Sequence, residues 1–242
     1  MAAILETRSL ACRFGGVVAV DNVNLSIKEG ELRCLIGPNG AGKSTLFKCL
    51  THQHQPTSGR ILLQGNDVTN LSPHMIARRG VAIKNQVPTV YGGLSVHENL
   101  WLAARRKYRP KQLDAVLTDT LIEIGFRPPQ HLNARVDQLS HAHRQWVELG
   151  MLLVSKPVLA LLDEPTAGMT HDEMLKTVEI IRRLNRQSTV IVVEHDLEFI
   201  SLLANQVTVL HRGAILVEGS MAEITQNEMV QEIYLGKKRD AA

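Results

Sequence analysis

The chain has 242 residues, of which 44% are hydrophobic and 21% charged, and its formal net charge is +3 at pH 7. These values are typical of a globular protein with one large or two small domains, and the charge is too small to indicate a nucleic-acid or anionic-membrane binding protein. The three cysteines, Cys12, Cys34 and Cys49, are odd in number and widely spaced. They therefore fit neither a disulfide framework nor a four-ligand metal site, and we interpret them as buried residues in a reducing compartment.

The first third of the chain predicts strands and turns. The stretches AILETRSLACRF and VDNVNLSIKEG alternate apolar and polar residues, ELRCLIG is an apolar run that stops at Gly37, and GRILLQGNDV is typical of a hairpin. Helical spacing begins at Lys43 and lasts to about Leu50. In SPHMIARRG, Ser72 is a good N-cap and is followed by a proline, which predicts a short helix.

From about Leu94 to Ser155 the apolar spacing becomes helical. Three helices are predicted, in SVHENLWLAARRKY, PKQLDAVLTDTLIEIG and SHAHRQWVELGMLLVSK. The last third returns to alternation: PVLALLDE and STVIVVEH predict buried strands, each followed by a helix, and QVTVLHRGAILVEGS predicts a hairpin that turns at Arg212 and Gly213. A helical block inside an alternating chain predicts an α/β fold with a parallel-sheet core and an inserted helical subdomain.

The stretch GPNGAGKST matches the phosphate-loop pattern in full and lies between an apolar strand and a helix. Glycines allow backbone amides to crowd around a polyphosphate, and the following helix adds its positive N-terminal end. Lys43 can bridge the β- and γ-phosphates, and Ser44 can hold Mg²⁺. The predicted ATP-binding residues of this loop are Gly37, Pro38, Asn39, Gly40, Ala41, Gly42, Lys43, Ser44 and Thr45.

A second motif, VLALLDEP, is an apolar strand that ends in two carboxylates, at the edge of a sheet where ligands bind. Asp163 is suited to the Mg²⁺ coordination sphere, and Glu164 is suited to orient or deprotonate the attacking water. A pair of carboxylates that only caps the next helix is the alternative, which the complete phosphate loop disfavours.

With these motifs the chain resembles the ATPase subunits of ABC transporters from about Leu5 to Gly236. The resemblance implies that Phe14 stacks on adenine, that Gln86 is a switch glutamine touching Mg²⁺ and water, and that His195 is a switch histidine sensing the γ-phosphate. It implies a P-loop ABC ATPase fold: a mixed sheet core with an N-terminal antiparallel β part and an inserted helical subdomain. The ATP-binding core would comprise residues 1–90 and 156–242, and the helical subdomain residues 91–155.

The stretch LSHAH stands where this family carries its signature loop, which acts in trans on the ATP bound by a second ATPase chain. The residues so assigned are Ser140, His141, Ala142 and His143. The family usually has glycine where this chain has Ala142. An alanine with negative φ in the first turn of a helix costs little, so we expect Ala142 there, facing the dimer interface, in a working but slowed half-site.

The resemblance is stronger to the importers of branched-chain amino acids, urea and amides, with urea-type members nearest. It is carried by FGGVVAV, NQVPTVYGGLSVHENL, RQWVELGMLL, DEPTAGMT and VLHRGAILVEGS. The implied cofactors are ATP and Mg²⁺. The implied partners are a second ATPase subunit, identical or homologous, membrane permease subunits and a periplasmic solute-binding protein, with no nucleic acid.

No apolar run approaches transmembrane length, and Glu6 and Arg8 interrupt the N-terminal segment, so we expect a cytoplasmic protein held on the inner face of the membrane by its permeases. Two alternatives stay open at this point. One is the ATPase of another ABC transporter, such as a lipid or lipopolysaccharide exporter. The other is a soluble or regulatory ABC ATPase.

Overall fold

The computed structural model describes residues 3–127 and 132–235. The strands within these residues are β1 (Ala3–Phe14), β2 (Val17–Val23), β3 (Ser26–Lys28), β4 (Leu32–Ile36), β5 (Ser58–Leu63), β6 (Asn66–Asp67), β7 (Val81–Lys84), β8 (Leu159–Asp163), β9 (Thr189–Val193), β10 (Gln206–His211) and β11 (Ala214–Gly219).

The helices of the same ranges begin and end close to the sequence signals, apart from the last two, which were not predicted. They are α1 (Lys43–Leu50), α2 (Pro73–Arg78), α3 (Val96–Ala104), α4 (Pro110–Glu123), α5 (His141–Ser155), α6 (His171–Asn185), α7 (Leu197–Leu203), α8 (Met221–Gln226) and α9 (Glu228–Leu235), with a 3-10 turn at Val136–Gln138.

The chain forms two compact units, the first comprising residues up to Arg79 and from Thr189 onward, and the second Gly80–Ser188. The first unit contains an antiparallel sheet in the order β2-β1-β5-β6, with β3 also paired to β1. This sheet is formed by the alternating segments near the N-terminus, because alternation places one apolar face toward a core and one polar face toward solvent.

The first unit also contains strands β11, β10, β4 and β9 side by side, parallel except for β11. Every residue of β4 and β9 is buried, which is why these strands are continuous apolar runs rather than alternating ones. The hairpin of β10 and β11 turns at Arg212 and Gly213, as predicted. Both residues have positive φ, 49° and 83°, and such turns match the twist of the paired strands.

In the second unit β7 pairs in parallel with β8, and helices α3 to α6 lie in the same unit. Helix α5 begins directly after Ser140, whose side chain accepts a hydrogen bond from the His143 amide. Strand β7 has no counterpart among the predicted elements, because the four residues VAIK are too few to show a period. The second unit is thus larger than the helical segment predicted at residues 91–155, since it also contains β7, β8 and α6.

Across residues 3–127 and 132–235 the structure contains no helix long and apolar enough to span a membrane. The three cysteines are free and buried. Burial raises the pKa of the Cys34 thiol, with a further contribution from Glu194, and raises the pKa of Cys49 to about 12, with a further contribution from Cys12. The thiols of Cys34 and Cys49 therefore stay protonated and unreactive at neutral pH.

Strand β4 carries one buried charge, Arg33, which is 7% exposed. Its guanidinium donates to Glu31 Oε1 at 2.5 Å, to Thr208 Oγ1 at 2.8 Å and to Glu218 Oε1. The cation thus has two carboxylate partners and one hydroxyl partner, and pairing of this kind is the condition under which a protein tolerates a charge inside its core.

Replacing Arg33 with methionine should destabilise the protein by about 3 kcal/mol, because the largely buried Glu31 carboxylate loses its nearest cation. Chemical denaturation measures this free energy. The matched control is Arg8→Met, which removes the exposed Arg8–Glu6 pair and should cost under about 1 kcal/mol. Equal losses in the two variants would contradict the role assigned to the buried pair.

Candidate nucleotide site

The phosphate loop follows strand β4 in the first unit, and its backbone approaches neighbouring strands too closely for side chains at two positions. A Cβ added at Gly37 would lie 2.3 Å from the Leu210 carbonyl oxygen, and one added at Gly42 would lie 2.2 Å from that of Ala19. Both glycines have positive φ, 154° and 99°. The glycine pattern predicted from the sequence is therefore required by close backbone contacts.

Lys43 is the first residue of helix α1 and is 8% exposed. Its Nζ donates to the carbonyl oxygens of Gly37 and, at 3.1 Å, of Pro38. The ammonium is thus held over the loop by the loop's own backbone. Ser44 next to it is exposed, so its hydroxyl is accessible at the N-terminal end of the helix, where anions are favoured.

Phe14 ends strand β1, and its ring is 48% exposed. The ring lies at a steep angle, 71°, to the ring of His54, with centroids 5.4 Å apart. A lone aromatic residue near a strand is often part of the core, but the structure places this ring at the surface. A half-exposed ring face is available for stacking on a flat base.

His195 lies just after strand β9, and its side chain is 64% exposed. The preceding residue, Glu194, is 1% exposed, and its Oε2 accepts a hydrogen bond from the His195 amide at 2.9 Å and lies 3.6 Å from His195 Nδ1. The carboxylate lies on the Nδ1 side of the ring but beyond hydrogen-bond distance, so the exposed imidazole is oriented only loosely. The sequence analysis missed Glu194, because its only signal was its place beside the histidine in VIVVEH.

In the second unit, strand β8 ends at Asp163, and Glu164 follows with a positive φ of 41°. A non-glycine residue in this region is strained, and such strain persists only where surrounding contacts hold it. Gln86 Nε2 donates to Glu164 Oε2 at 2.8 Å. The structure therefore brings together two of the predicted residues, the switch glutamine and the candidate base, although 78 residues separate them in the chain.

The predicted signature loop forms the N-terminus of helix α5, also in the second unit. Ser140 and His141 are exposed, and Ser140 Oγ lies 2.7 Å from His143 Nδ1. The His143 ring makes edge contacts with Phe126 and Trp146, whose centroids are 5.3 and 5.0 Å away. Ser140 is therefore engaged in its own helix cap, and its hydroxyl direction depends on the tautomer of His143.

Ala142 lies in the first turn of α5 and is not among the residues with positive φ, as predicted. The expectation that it faces a dimer interface is wrong, because its side chain is 3% exposed and points into its own chain. A helix buries the residues of one stripe, and position 142 falls on the stripe shared with Trp146, not on the face of His141. The methyl group therefore adds no bulk to the exposed face of the loop.

Thr170, in the segment after Glu164, is the N-cap of α6. Its hydroxyl accepts from the Glu173 amide, and Glu173 Oε2 accepts from the Thr170 amide at 2.9 Å. This reciprocal capping box accounts for a threonine at this position.

The predicted site residues divide between the two units. Phe14, the phosphate loop and His195 belong to the first unit, and Gln86, Asp163, Glu164 and the signature loop belong to the second. Sequence reasoning also missed Gln145, a polar side chain on α5 that is 0% exposed and contacts the Gln86 backbone. In the sequence it lies in the segment RQWVEL beside other polar residues, so nothing there marks it as buried.

Comparison with known proteins agrees with these observations. Residues 20–167 match the model of the family described as ABC transporter. The chain is 32% identical to the high-affinity branched-chain amino acid transport ATP-binding protein BraF of Pseudomonas aeruginosa and 32% identical to LivG of Escherichia coli K12, which carries the same description. Each alignment covers 97% of this chain and 98% of the relative.

Solved structures show the same fold. A nucleotide-free ATP-binding cassette from an ABC transporter superposes with a TM-score of 0.84 at 24% identity and covers 97% of this chain and 100% of its own. The dimeric bacterial ABC transporter cassette MJ0796 superposes with a TM-score of 0.79 at 25% identity, covering 90% of this chain and 98% of its own. The predicted P-loop ABC ATPase fold is thus confirmed.

The family match spans more than half of the chain, and the relatives align over nearly its full length. The chain therefore belongs to the ABC transporter family, as an ATP-binding and ATP-hydrolysing subunit that is similar to those of the branched-chain amino acid group.

Proposed function

We propose that this ATPase drives the uptake of a small polar or branched-chain amino-acid-type solute, with urea and amides among the candidates, through separate permease subunits. The observation that carries the solute class is the 32% identity over nearly the whole chain to two branched-chain amino acid transport ATP-binding proteins. The proposed location is the cytoplasmic face of the membrane, where the permeases hold the subunit. A periplasmic binding protein delivers the solute.

The ATP-binding part of the proposal rests on the phosphate loop. Backbone amides of the loop and the N-terminus of α1 bind the phosphates, while Lys43 exchanges its contacts with Gly37 and Pro38 for the β- and γ-phosphates. Phe14 stacks on the adenine. Exposed His195, beside Glu194, senses the γ-phosphate through its imidazole ring.

Glu164 is the proposed general base. Its carboxylate is already held by Gln86 Nε2, and its strained backbone fixes the direction of the side chain. A positioned carboxylate can orient a water molecule and accept its proton as the water attacks the γ-phosphate. Gln86 acts with it, since its amide orients the carboxylate.

The proposed metal ion is Mg²⁺, which prefers oxygen ligands and is commonly bound through one or two carboxylates together with substrate phosphates. The candidate ligands are all oxygen donors and fit this preference: the hydroxyl of Ser44, the amide oxygen of Gln86 and the carboxylate of Asp163. When bound with ATP, Mg²⁺ neutralises charge that develops on the phosphates.

The proposed active form is a dimer of two ATPase chains, identical or homologous, in which each signature loop serves the other chain's ATP. Ser140 and His141 are the exposed members of the loop and are the proposed contacts, with His143 supporting Ser140. Ala142 is buried within its own chain, so its methyl group is not among the proposed contacts with the partner.

Replacing Phe14 with alanine should weaken ATP binding about tenfold, because stacking of an aromatic side chain on a base contributes about 1–3 kcal/mol. GTP binding should weaken by a similar factor, since every base has a face to stack. Isothermal titration calorimetry measures both affinities. The control is Val17→Ala, which trims the exposed residue paired with Phe14 across the strands. Normal ATP affinity in the phenylalanine variant would refute the stacking role.

Replacing Glu164 with glutamine should lower kcat for ATP hydrolysis by a factor of about 10²–10⁴ and leave ATP affinity unchanged. The amide keeps the shape and still accepts from Gln86, but it no longer takes the proton from water. Steady-state hydrolysis and nucleotide titration separate the two effects, and size-exclusion chromatography with ATP should show a trapped dimer. The exposed control Glu179→Gln should retain the wild-type kcat. A wild-type rate in the Glu164 variant would remove this residue from catalysis.

The solute class is tested by uptake in the source cells. Deleting the gene should abolish uptake of labelled leucine, urea or an amide, and reintroducing the wild-type gene, but not Glu164→Gln, should restore it. The variant controls for effects of the protein that do not need hydrolysis. Unchanged uptake of all three solute types after deletion would contradict the proposed solute class without affecting the assignment as an ATPase.

A further inference from the structure

Helix α5 carries two buried polar side chains one turn apart, Gln145 and Glu148, which are 0% and 4% exposed. Both contact the segment that follows strand β7, residues 85–89, which we call the Gln86 loop. Gln145 Nε2 donates to the carbonyl oxygen of Gln86 at 3.1 Å, and Glu148 Oε1 accepts from the amide and the hydroxyl of Thr89 at 3.1 and 2.5 Å. The helix that begins with the signature loop therefore holds the loop of the switch glutamine at two points.

Gln145 has a second contact at its other side. The same Nε2 lies 3.2 Å from His141 Nε2, in the signature loop. An amide nitrogen carries two protons, so one can reach the Gln86 carbonyl oxygen and the other the imidazole. This arrangement requires His141 Nε2 to act as the acceptor, with the ring proton on Nδ1.

These contacts form a continuous series within the second unit. Glu164 Oε2 accepts from the Gln86 side chain, the Gln86 backbone accepts from Gln145, and Gln145 donates to His141. One end of the series is the proposed base of the chain's own ATP site. The other end is an exposed residue of the loop proposed to serve the partner's ATP.

The stability of the fold alone does not account for Gln145. Its Oε1 is buried and has no hydrogen-bond partner among the described residues. A buried carbonyl oxygen without a partner is destabilising, so a methionine of similar volume would suit the core better. The two contacts of Nε2 are what the glutamine provides and an apolar residue would not.

We propose that Gln145 is a positioning residue that couples the Gln86 loop of each chain to its own signature loop, so that the state of one ATP site affects the other. The coupling element is the pair of hydrogen bonds from Nε2, and Glu148 keeps the Gln86 loop in place beside it. The proposal rests on the proposed dimer, in which the signature loop acts in trans. Energetic coupling of this kind is measured by non-additive effects of two substitutions.

The test is a double-mutant cycle in ATP hydrolysis by the full-length protein. Gln145→Met keeps the volume and removes both donors, and it should lower kcat about tenfold while ATP affinity and KM stay within twofold of wild type. His141→Ala should lower kcat about threefold. The double variant should lose less than the product of the two single effects, because Gln145→Met has already broken the contact with His141 and only the proposed contact of His141 with the partner's ATP remains to be lost.

The matched control replaces His74, an exposed histidine on α2 in the first unit. His74→Ala should leave kcat unchanged in the wild type and in Gln145→Met. A second replacement, Gln145→Leu, also removes both donors but has a different shape, so it should match Gln145→Met.

Three results would overturn the proposal: a kcat within twofold of wild type for Gln145→Met, full additivity of the Gln145 and His141 substitutions, or a loss of ATP affinity in Gln145→Met. If thermal melting shows Gln145→Met unfolded at the assay temperature, Gln145→Leu takes its place in the cycle with His141→Ala, since it also removes both donors. An unchanged kcat in Gln145→Leu then overturns the coupling. Failure of the proposed function itself would give a different result: Glu164→Gln would then hydrolyse ATP at the wild-type rate.

Discussion

The close approach of the phosphate loop to two neighbouring backbones is the constraint on which the nucleotide-binding half of the protein depends. Carbonyl oxygens of Leu210 and Ala19 occupy the space where side chains at Gly37 and Gly42 would lie. These contacts restrict the backbone path of the loop, and the Lys43 side chain folds back over the loop to donate to the carbonyl oxygens of Gly37 and Pro38. A preorganised loop of this kind loses little conformational freedom when phosphates bind, so more of the binding energy is retained.

The residues proposed for chemistry are held in place by neighbouring side chains. Buried Glu194 lies behind His195, and Gln86 donates to Glu164 across a large separation in sequence. In each case one side chain limits the directions that the other can take. Rotational freedom in a catalytic side chain lowers the fraction of time it spends in the reactive position, so such partners raise the rate without touching substrate.

Helix α5 connects the Gln86 loop to the signature loop. Its first turn presents Ser140 and His141, and its buried face holds the Gln86 loop through Gln145 and Glu148. Burial raises the pKa of Glu148, while its hydrogen bonds with Thr89 and the charge of Lys84 oppose that rise. Buried polar groups of this kind specify one arrangement of helix and loop, because any other arrangement leaves them without partners.

The sequence by itself determined the local features: the phosphate loop, the strand that ends in Asp163 and Glu164, the helix start at Ser140 and the turn at Arg212 and Gly213. Each of these depends on residues close together in the chain, where periodicity, glycine and capping preferences act directly. The order of strands and helices followed from the same patterns, apart from the short strand β7 and the last two helices, α8 and α9.

Only the tertiary structure decided which side chains meet. It placed the methyl group of Ala142 inside its own chain, although the first-turn position and negative φ were predicted correctly. It also brought Gln86 to Glu164 and revealed the contacts of Gln145. These outcomes depend on which stripe of a helix is covered and on loops joined through long-range packing. The pattern of a single segment contains neither, because burial is a property of the neighbours that the folded chain supplies.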